Sequence, residues 1–534
     1  MSLLTSRLAA LNSTENQSLL SGIQRGIEKE SLRVTPAGAL ANTTHPKALG
    51  STLTHPSITT DFSESLLEFI TAPSPSIDAV LSSLDNIHRF TYRHIGDELL
   101  WVNSMPCMLG RDQDIPLGQY GSSNIGQMKT IYRRGLGHRY GRLMQTIAGI
   151  HYNWSLPDAC WQVLQQSDNY SGSLQDFKTE RYFDLIRNFR RHFWLLLYLF
   201  GAAPAVCRSF VKDRAHRLQP MGDDDHSLHL PYATSLRMGD LGYQSSAQES
   251  LIVCYNNLPN YIENLRGALT TPYPAYEAVG VKESGGKYRQ LSPHLLQIEN
   301  EFYSTIRPKR TAEGNETALE ALWQRGVEYI EVRCVDLNPY LPVGIDAEQM
   351  RFLDVFLMHC LLQESPQTDN REYGQILNNQ RKIVERGREP GLSLSRGDGE
   401  TSLQEWASEL FTQLQPIARA LDASHGDNTH NNAHSDAISA MEQRLHQPEL
   451  TPAAQLLEEV RSSDSTYFQT ALRHAQQHRE FFLDSKLDPA VEEEFVSLAA
   501  HSLEDQKAIE AADTLSFDDF LSAYYQQYQF SLES

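Results

Sequence analysis

A chain of 534 residues that is 40% hydrophobic and 21% charged can bury a large core and is too apolar to be disordered. Its 67 acidic against 46 basic side chains leave a net charge of −21, which excludes nucleic acid or an anionic membrane as the main partner. An anionic ligand would need a local basic site or bridging metal ions.

The opening residues, MSLLTSRLAALNSTENQ, lack the charged start and apolar core of a signal peptide, and residues 3–24 are loosely helical in spacing. Gly26–Val34, GIEKESLRV, reads as an extended strand. Glu28 and Glu30 then leave one face about 6–7 Å apart. Two such charges repel unless a cation or a proton lies between them, so the face is either solvated or built to hold metal. Pro36, Gly38, Pro46 and Gly50 mark turns. In Ile58–Pro73 the end LLEFIT is a second strand, with Leu66, Glu68 and Ile70 on one face and Asp61 and Glu64 just upstream.

Ser76–Leu100 has helical spacing, and Trp101–Tyr140 reads as a long irregular Gly-rich section. Its GLGHRYG lacks the lysine and hydroxyl of a phosphate loop. Met144–Ser155, MQTIAGIHYNWS, alternates as a strand with Gln145, Ile147, Gly149, His151 and Asn153 on one face. Gly149 would let a neighbour approach the backbone closely, and His151 needs company before it counts as a ligand. Glu180–Leu199 reads as a long helix. Phe193–Val206, 14 uncharged residues containing Pro204, reads as a buried core helix too short to cross a bilayer.

Gln219–Gly242 reads as a polar loop carrying Asp223, Asp224 and Asp225, and Ser246–Ala268 as helix. In LLQIENEFYSTIRPKR, the acids Glu299 and Glu301 precede Arg307, Lys309 and Arg310, either a solvated patch or an anion grip. Val327–Asp346 holds a strong strand with Tyr329, Glu331 and Arg333 on one face. Glu331 and Arg333 are either an ion pair or a metal ligand beside a phosphate clamp. Beyond Gln349, helical spacing recurs at Met350–Glu364, Ser402–Leu421, Ala453–Ser462, Tyr467–His478 and Asp518–Tyr528. His425–Ser435 reads as a mobile polar loop, not a zinc site. The six cysteines (Cys107, Cys160, Cys207, Cys254, Cys334, Cys360) form no C-x-x-C pair and read as reduced thiols filling core.

Three strand-like segments thus present carboxylates and a fourth presents His151. A carboxylate-lined sheet face is what a Mg²⁺·nucleotide enzyme without a P-loop requires.

Five stretches, GIEKESLRV, ITTDFSESLLEFIT, IAGIHYNWS, LLQIENEFYSTIRPKR and YIEVRCVDLNPYLPVGID, in that order and over essentially the whole chain, resemble the glutamate–cysteine ligases of the proteobacterial type. The resemblance implies an α+β fold, with a glutamine-synthetase-like curved antiparallel catalytic sheet, flanking helices and C-terminal helices. It implies one catalytic unit over 1–534, the sheet within 20–346 and a mainly helical part over 347–534. The implied reaction is ATP-dependent ligation of the L-glutamate γ-carboxyl to the L-cysteine amine through a γ-glutamyl phosphate, the first step of glutathione synthesis. Mg²⁺ would be the cofactor, with Mn²⁺ as a substitute, and ATP a co-substrate. The setting would be cytoplasmic, without nucleic acid or membrane, and a monomer is the working expectation.

Carried over residue by residue, Glu28, Glu30, Asp61, Glu68, His151 and Glu331 match the family's Mg²⁺ ligands, and Arg333 the arginine on the γ-phosphate. Arg237, Gln145 and Asn153 match groups that hold glutamate; Phe62, Tyr132, Leu136, Tyr243 and Tyr303 match the cysteine pocket. Some members pair the equivalent of Cys107 with a cysteine where this chain has Gln165, and Cys160 is not aligned with it, so that disulfide is not expected. The alternatives are a related carboxylate–amine ligase, a metal-dependent hydrolase and a non-enzymatic Mg²⁺·nucleotide-binding protein.

Overall fold

Period-two alternation of apolar side chains sets the strands that carry the site. In chain order the strands are β1 (Gln24–Val34), β2 (Ile58–Thr60), β3 (Leu66–Ile70), β4 (Leu99–Leu100), β5 (Ile150–Ser155) and β6 (Ala205–Cys207). There follow β7 (Gln219–Met221), β8 (Asp224–His229), β9 (Ile306–Lys309), β10 (Tyr329–Val335), β11 (Ser393–Arg396) and β12 (Gly399–Ser402). A computed structural model describes residues 2–530 except 213, 222–223, 243–245, 250, 315, 425–431 and 464.

The principal sheet is antiparallel, in the order β2-β3-β1-β5-β10-β9, with β4 paired to β1. A small sheet β6-β8-β7 and the hairpin β11-β12 stand apart from it. With the flanking helices this is an α+β architecture. Among the described residues no helix is long and apolar enough to cross a membrane.

The reverse face of the sheet carries Ile27, Tyr152, Trp154, Ile330 and Val332, all buried. Arg25 and Lys29 share that face. Arg25 Nε meets Asp354 Oδ2 at 2.7 Å, and the Tyr152 hydroxyl donates to Asp354 Oδ1 at 2.9 Å. Asp354 lies in the helix Ala347–Leu362, nearly every residue of which is buried, so this pair pins helix to sheet in a dry layer. Lys29 donates to Ser31 Oγ at 2.9 Å and lies 2.7 Å from His88 Nε2. Burial lowers its ammonium to about 7.

Several expectations require correction. Residues 124–140, read as part of a Gly-rich loop, form the helix Asn124–Tyr140, capped by Ser123 Oγ accepting from Gly126 N at 3.2 Å. Its glycines serve close packing: a Cβ at Gly135 would stand 2.1 Å from Gln297 Oε1. The strand expected over Met144–Ser155 starts only at Ile150. Leu143–Thr146 is instead a 3₁₀ turn, closed by Gln145 N donating to Arg142 O at 3.1 Å. Glu180–Leu199 belongs to two helices, Leu174–His192 and Trp194–Phe200, and the apolar run then becomes β6. The polar stretch Gln219–Gly242 supplies β7 and β8, which pair back toward β6. Ser246–Ala268 breaks ahead of the helix Leu258–Thr270, whose Asn257 cap accepts from Asn260 N at 2.8 Å.

The helices Asn370–Arg386, Ala433–His446 and Pro489–Ala512 were not anticipated. The first buries only a narrow stripe, Ile376, Asn379, Gln380, Ile383 and Val384, at helical spacing on an otherwise polar segment. Of the expected loop His425–Ser435, residues 425–431 lie outside the described residues. His434 is buried in helix Ala433–His446, its Nδ1 3.0 Å from Asp422 Oδ1.

The reading of all six cysteines as reduced thiols also fails. Cys107 and Cys207 form a disulfide across a sequence separation of 100, while Cys160, Cys254, Cys334 and Cys360 are free. Their pairing depends on where the fold carries β6, which spacing in the chain does not reveal. Alkylation of the unfolded, non-reduced protein is expected to label four cysteines, and six only after reduction; six before reduction would remove the bridge. Asp354→Ala, which strands Arg25 in the core, is expected to lower the unfolding free energy by about 3–5 kcal/mol in urea titrations.

Candidate active site

The strand register gathers acids that lie far apart in the chain. Alternation puts Glu28 and Glu30 of β1 on the face shared with His151 and Asn153 of β5 and with Glu331 and Arg333 of β10. Glu28 stands opposite His151, Glu30 opposite Glu68, and Glu331 between Asn153 and Arg307.

Glu28, His151 and Glu331 each bring one ligand atom within 4.8 Å of the others, close enough for one small cation to reach all three. His151 Nδ1 is 3.1 Å from Glu28 Oε2 and 3.7 Å from Glu331 Oε1; its Nε2 faces Glu30 Oε1 at 3.8 Å. Asn153 Nδ2 donates to Glu28 Oε1 at 2.9 Å. Arg333 Nη1 and Lys309 Nζ approach Glu331 at 3.1 and 3.3 Å. Glu30 Oε2 instead accepts from Gly149 N at 2.7 Å.

These neighbours split the carboxyls into two states. Burial works against ionisation of Glu331, but Lys309, Arg333, His151 and Arg307 outweigh it and hold the group well below the usual range. Burial and Glu331 press Glu28 upward, yet its hydrogen bond to His151, with the charges of His151 and Lys309, leaves it lowered. On the other side, burial and then the charge of Asp61 push Glu30 up to about 8. Burial, Glu28, Asp61 and Glu30 push Glu68 well above its usual value. Burial and Arg333 lower the imidazole of His151.

A cavity of about 330 Å³ borders this face, with Glu30, Asp61, His151 and Arg333 among its lining. Gln145 and Arg237 line it as well, as do Phe62, Tyr132, Leu136 and Tyr303. Gln145 Nε2 donates to the Tyr303 hydroxyl at 3.0 Å. Glu28, Glu68, Glu331 and Asn153 are not part of the lining; Asn153 is turned to Glu28. Tyr243 lies outside the described residues.

Arg237 is only 1% exposed; its Nη1 is 3.6 Å from Asp336 Oδ1 and its Nη2 donates to Arg333 O at 2.9 Å. A Cβ at Gly149 would stand 2.0 Å from Arg237 Nη2, so the close approach expected at this glycine is made by the guanidinium.

Sequence reasoning missed one end of the cavity. Arg190 stacks over Tyr255 and Tyr373, 4.7 and 5.1 Å from the ring centroids, beside Ile376 and Leu377. No motif marks these residues; the helical spacing of Tyr373, Ile376 and Gln380 was the available signal. Arg133, also in the lining, was hidden by the loop reading of 124–140. Of the basic cluster, Arg307 and Lys309 flank Glu331, whereas Arg310 turns to Glu328 at 3.9 Å.

An antiparallel sheet that holds carboxylates, a histidine and arginines against a cavity is the arrangement of a metal-assisted enzyme that handles an anionic substrate. The sequence profile of glutamate–cysteine ligase matches residues 8–383, and the chain belongs to that family. The chain is 52% identical over 526 residues to the glutamate–cysteine ligase of Alcanivorax borkumensis, covering 98% of this chain and 99% of the relative. It is 51% identical over 522 residues to that of Saccharophagus degradans, covering 98% of each. Among solved structures, the Francisella tularensis glutamate–cysteine ligase in complex with AMP superposes with a TM-score of 0.88 at 36% identity, covering 95% of this chain and 98% of that one.

The raised Glu30 carboxyl has a consequence for stability. The folded protein keeps a proton there that the unfolded chain releases near 4.5, so the group's contribution is complete below that pH and is lost as pH rises through about 8. In metal-free urea unfolding across that window, Glu30→Gln is expected to lose this part of the decline seen in wild type. An identical slope in the variant would clear Glu30 of the effect.

Proposed function

We propose that this protein ligates the γ-carboxyl of L-glutamate to the amine of L-cysteine with ATP, giving γ-glutamylcysteine, ADP and phosphate. One observation carries the reading. In a chain that matches ligases of this name over 98% of its length, Glu30, Asp61, His151 and Arg333 meet on the wall of one cavity, in front of Glu28 and Glu331.

Mg²⁺ fits the donors. Glu28, Glu331 and His151 are within reach of one ion. Glu30 and Glu68, driven toward their protonated forms, together with Asp61, offer oxygen ligands for further ions. When bound, Mg²⁺ supplies charge neutralisation to the phosphates of ATP, and Mn²⁺ suits the same ligands.

The chain's own residues do the positioning. Arg333, fixed by Glu331, faces the cavity where charge builds on the transferred phosphoryl group. Arg237 and Gln145, both in the cavity wall, would hold glutamate, the guanidinium taking a carboxylate. Asn153 contributes by orienting Glu28. Phe62 and Leu136 would wall the cysteine side chain, with the hydroxyls of Tyr132 and Tyr303 for its carboxylate.

The γ-carboxylate oxygen attacks the γ-phosphorus and the bond to ADP breaks. The neutral cysteine amine then attacks the acyl carbon, loses a proton, and phosphate leaves with the bonding electrons. Orientation and charge neutralisation account for the catalysis. We read residues 1–534 as one catalytic unit acting in the cytoplasm, with the catalytic sheet within 20–346 and a mainly helical part over 347–534 whose helix Asn370–Arg386 lines the far end of the cavity.

ADP release, measured with glutamate alone, with cysteine and with other amines, is expected to depend on cysteine, to stop on chelation of Mg²⁺ and to resume on its return. Dominant cysteine-independent hydrolysis, or preference for another amine, would overturn the assignment.

A further inference from the structure

Four arginines stand in the lining of the cavity, and three of them are engaged by the protein itself. Arg133 donates to the carbonyl oxygens of Asp61 and Lys129. Arg237 faces Asp336 and donates to the carbonyl of Arg333, whose own guanidinium lies 3.1 Å from Glu331. The fourth, Arg190, makes no hydrogen bond or ion pair among the described residues. Asp184 and Glu372, on the helices that carry Arg190 and Tyr373, have other partners. Asp184 meets Arg181 and Arg187, and Glu372 accepts from Arg191 at 2.6 and 2.9 Å.

The Arg190 guanidinium lies over the rings of Tyr255 and Tyr373. Rings on the flat face of a guanidinium hold the group still and leave the N–H donors along its edge, where a carboxylate binds. This end of the cavity reaches the surface. Leu377 in its wall is 42% exposed and Arg190 and Tyr373 are half-buried, whereas Glu30, His151 and Arg237 are buried. An amino acid entering from this side meets Arg190 before it meets the acids of the sheet. The chain's net charge of −21 repels anions, so an anionic substrate needs a local cation at the entrance.

We propose that Arg190 is a glutamate-binding residue at the mouth of the site, taking a carboxylate of the substrate against its open edge. The identity of the ligand rests on the ligase reading above. Of the two amino acids in that reading, glutamate carries a net negative charge at neutral pH and cysteine is a neutral zwitterion, so an unbalanced cation selects glutamate. Arg237 is already balanced in part by Asp336, and Arg190 adds the charge that this pairing withholds. Ile376 and Leu377 beside it displace water and lessen the screening of that charge.

The test is steady-state ADP release by the full-length enzyme, varying each amino acid in turn. In Arg190→Gln, KM for glutamate is expected to rise about fivefold or more, with kcat and KM for cysteine within about twofold of wild type. Arg190→Lys, which keeps the charge, is expected to lose less. Sodium chloride should weaken glutamate more in wild type than in Arg190→Gln, a difference that a merely structural role would not produce. Calorimetric titration of L-glutamate into the protein with Mg²⁺ and ADP reads the same contact without turnover. Absence of cysteine-dependent ADP release in wild type would therefore overturn the ligase reading and still leave Arg190 to be decided by the titration. Equal glutamate affinity in wild type and Arg190→Gln, equal salt dependence in both, or a change in kcat or in KM for cysteine instead would overturn this proposal alone. A wild type that binds no glutamate would overturn both.

Discussion

Four carboxyl groups on one face of one sheet cannot all be ionised without compensation, and the way they are compensated organises the molecule. On the β10 side the chain provides the cations itself: Arg333, Lys309 and Arg307 close round Glu331, and His151 completes the arrangement at Glu28. On the β3 side burial and mutual repulsion drive Glu30 and Glu68 toward their protonated forms. One half of the face is thus charged in advance and the other half waits for charge from outside. Such a face needs rigid backing, because small displacements of buried charges alter every neighbour. The Arg25–Asp354–Tyr152 layer behind it gives that backing.

The cavity joins the two parts of the chain. The sheet supplies its polar wall, and helix Asn370–Arg386 supplies Tyr373, Ile376, Leu377 and Gln380 to the opposite end. The family profile stops at residue 383, just past the last cavity-lining residue, Gln380. The helices beyond that point act through packing, as where Ser502 Oγ accepts from Ser51 N at 2.9 Å.

The strands were legible because alternation survives burial. YIEVRC shows charged and apolar residues in turn, GIEKESLRV sets Glu28 and Glu30 two apart between Ile27 and Leu32, and both form strands with the expected faces. Glu28, His151 and Glu331 could be grouped from those faces. What stayed hidden had physical reasons. The glycines of residues 124–140 resemble a loop, yet Gly135 is there because Gln297 leaves no room for a Cβ. Gln145 alternates correctly with His151 but is carried off the strand by a 3₁₀ turn. Arg190 finds Tyr255 and Tyr373 only through tertiary packing, and Cys107 finds Cys207 in the same way.

The strand order also dictates when the site can exist during synthesis. β1 is made early, but its neighbour β5 needs β10 on its other edge, and Arg25 needs Asp354. A nascent chain that ends before residue 354 therefore holds β1 with an uncompensated arginine behind it and repelling acids in front. Long-range antiparallel pairing of this kind assembles late and slowly. The growing polypeptide passes through a vulnerable interval in which its catalytic side chains are already translated while the partner of Arg25 behind them is still to come.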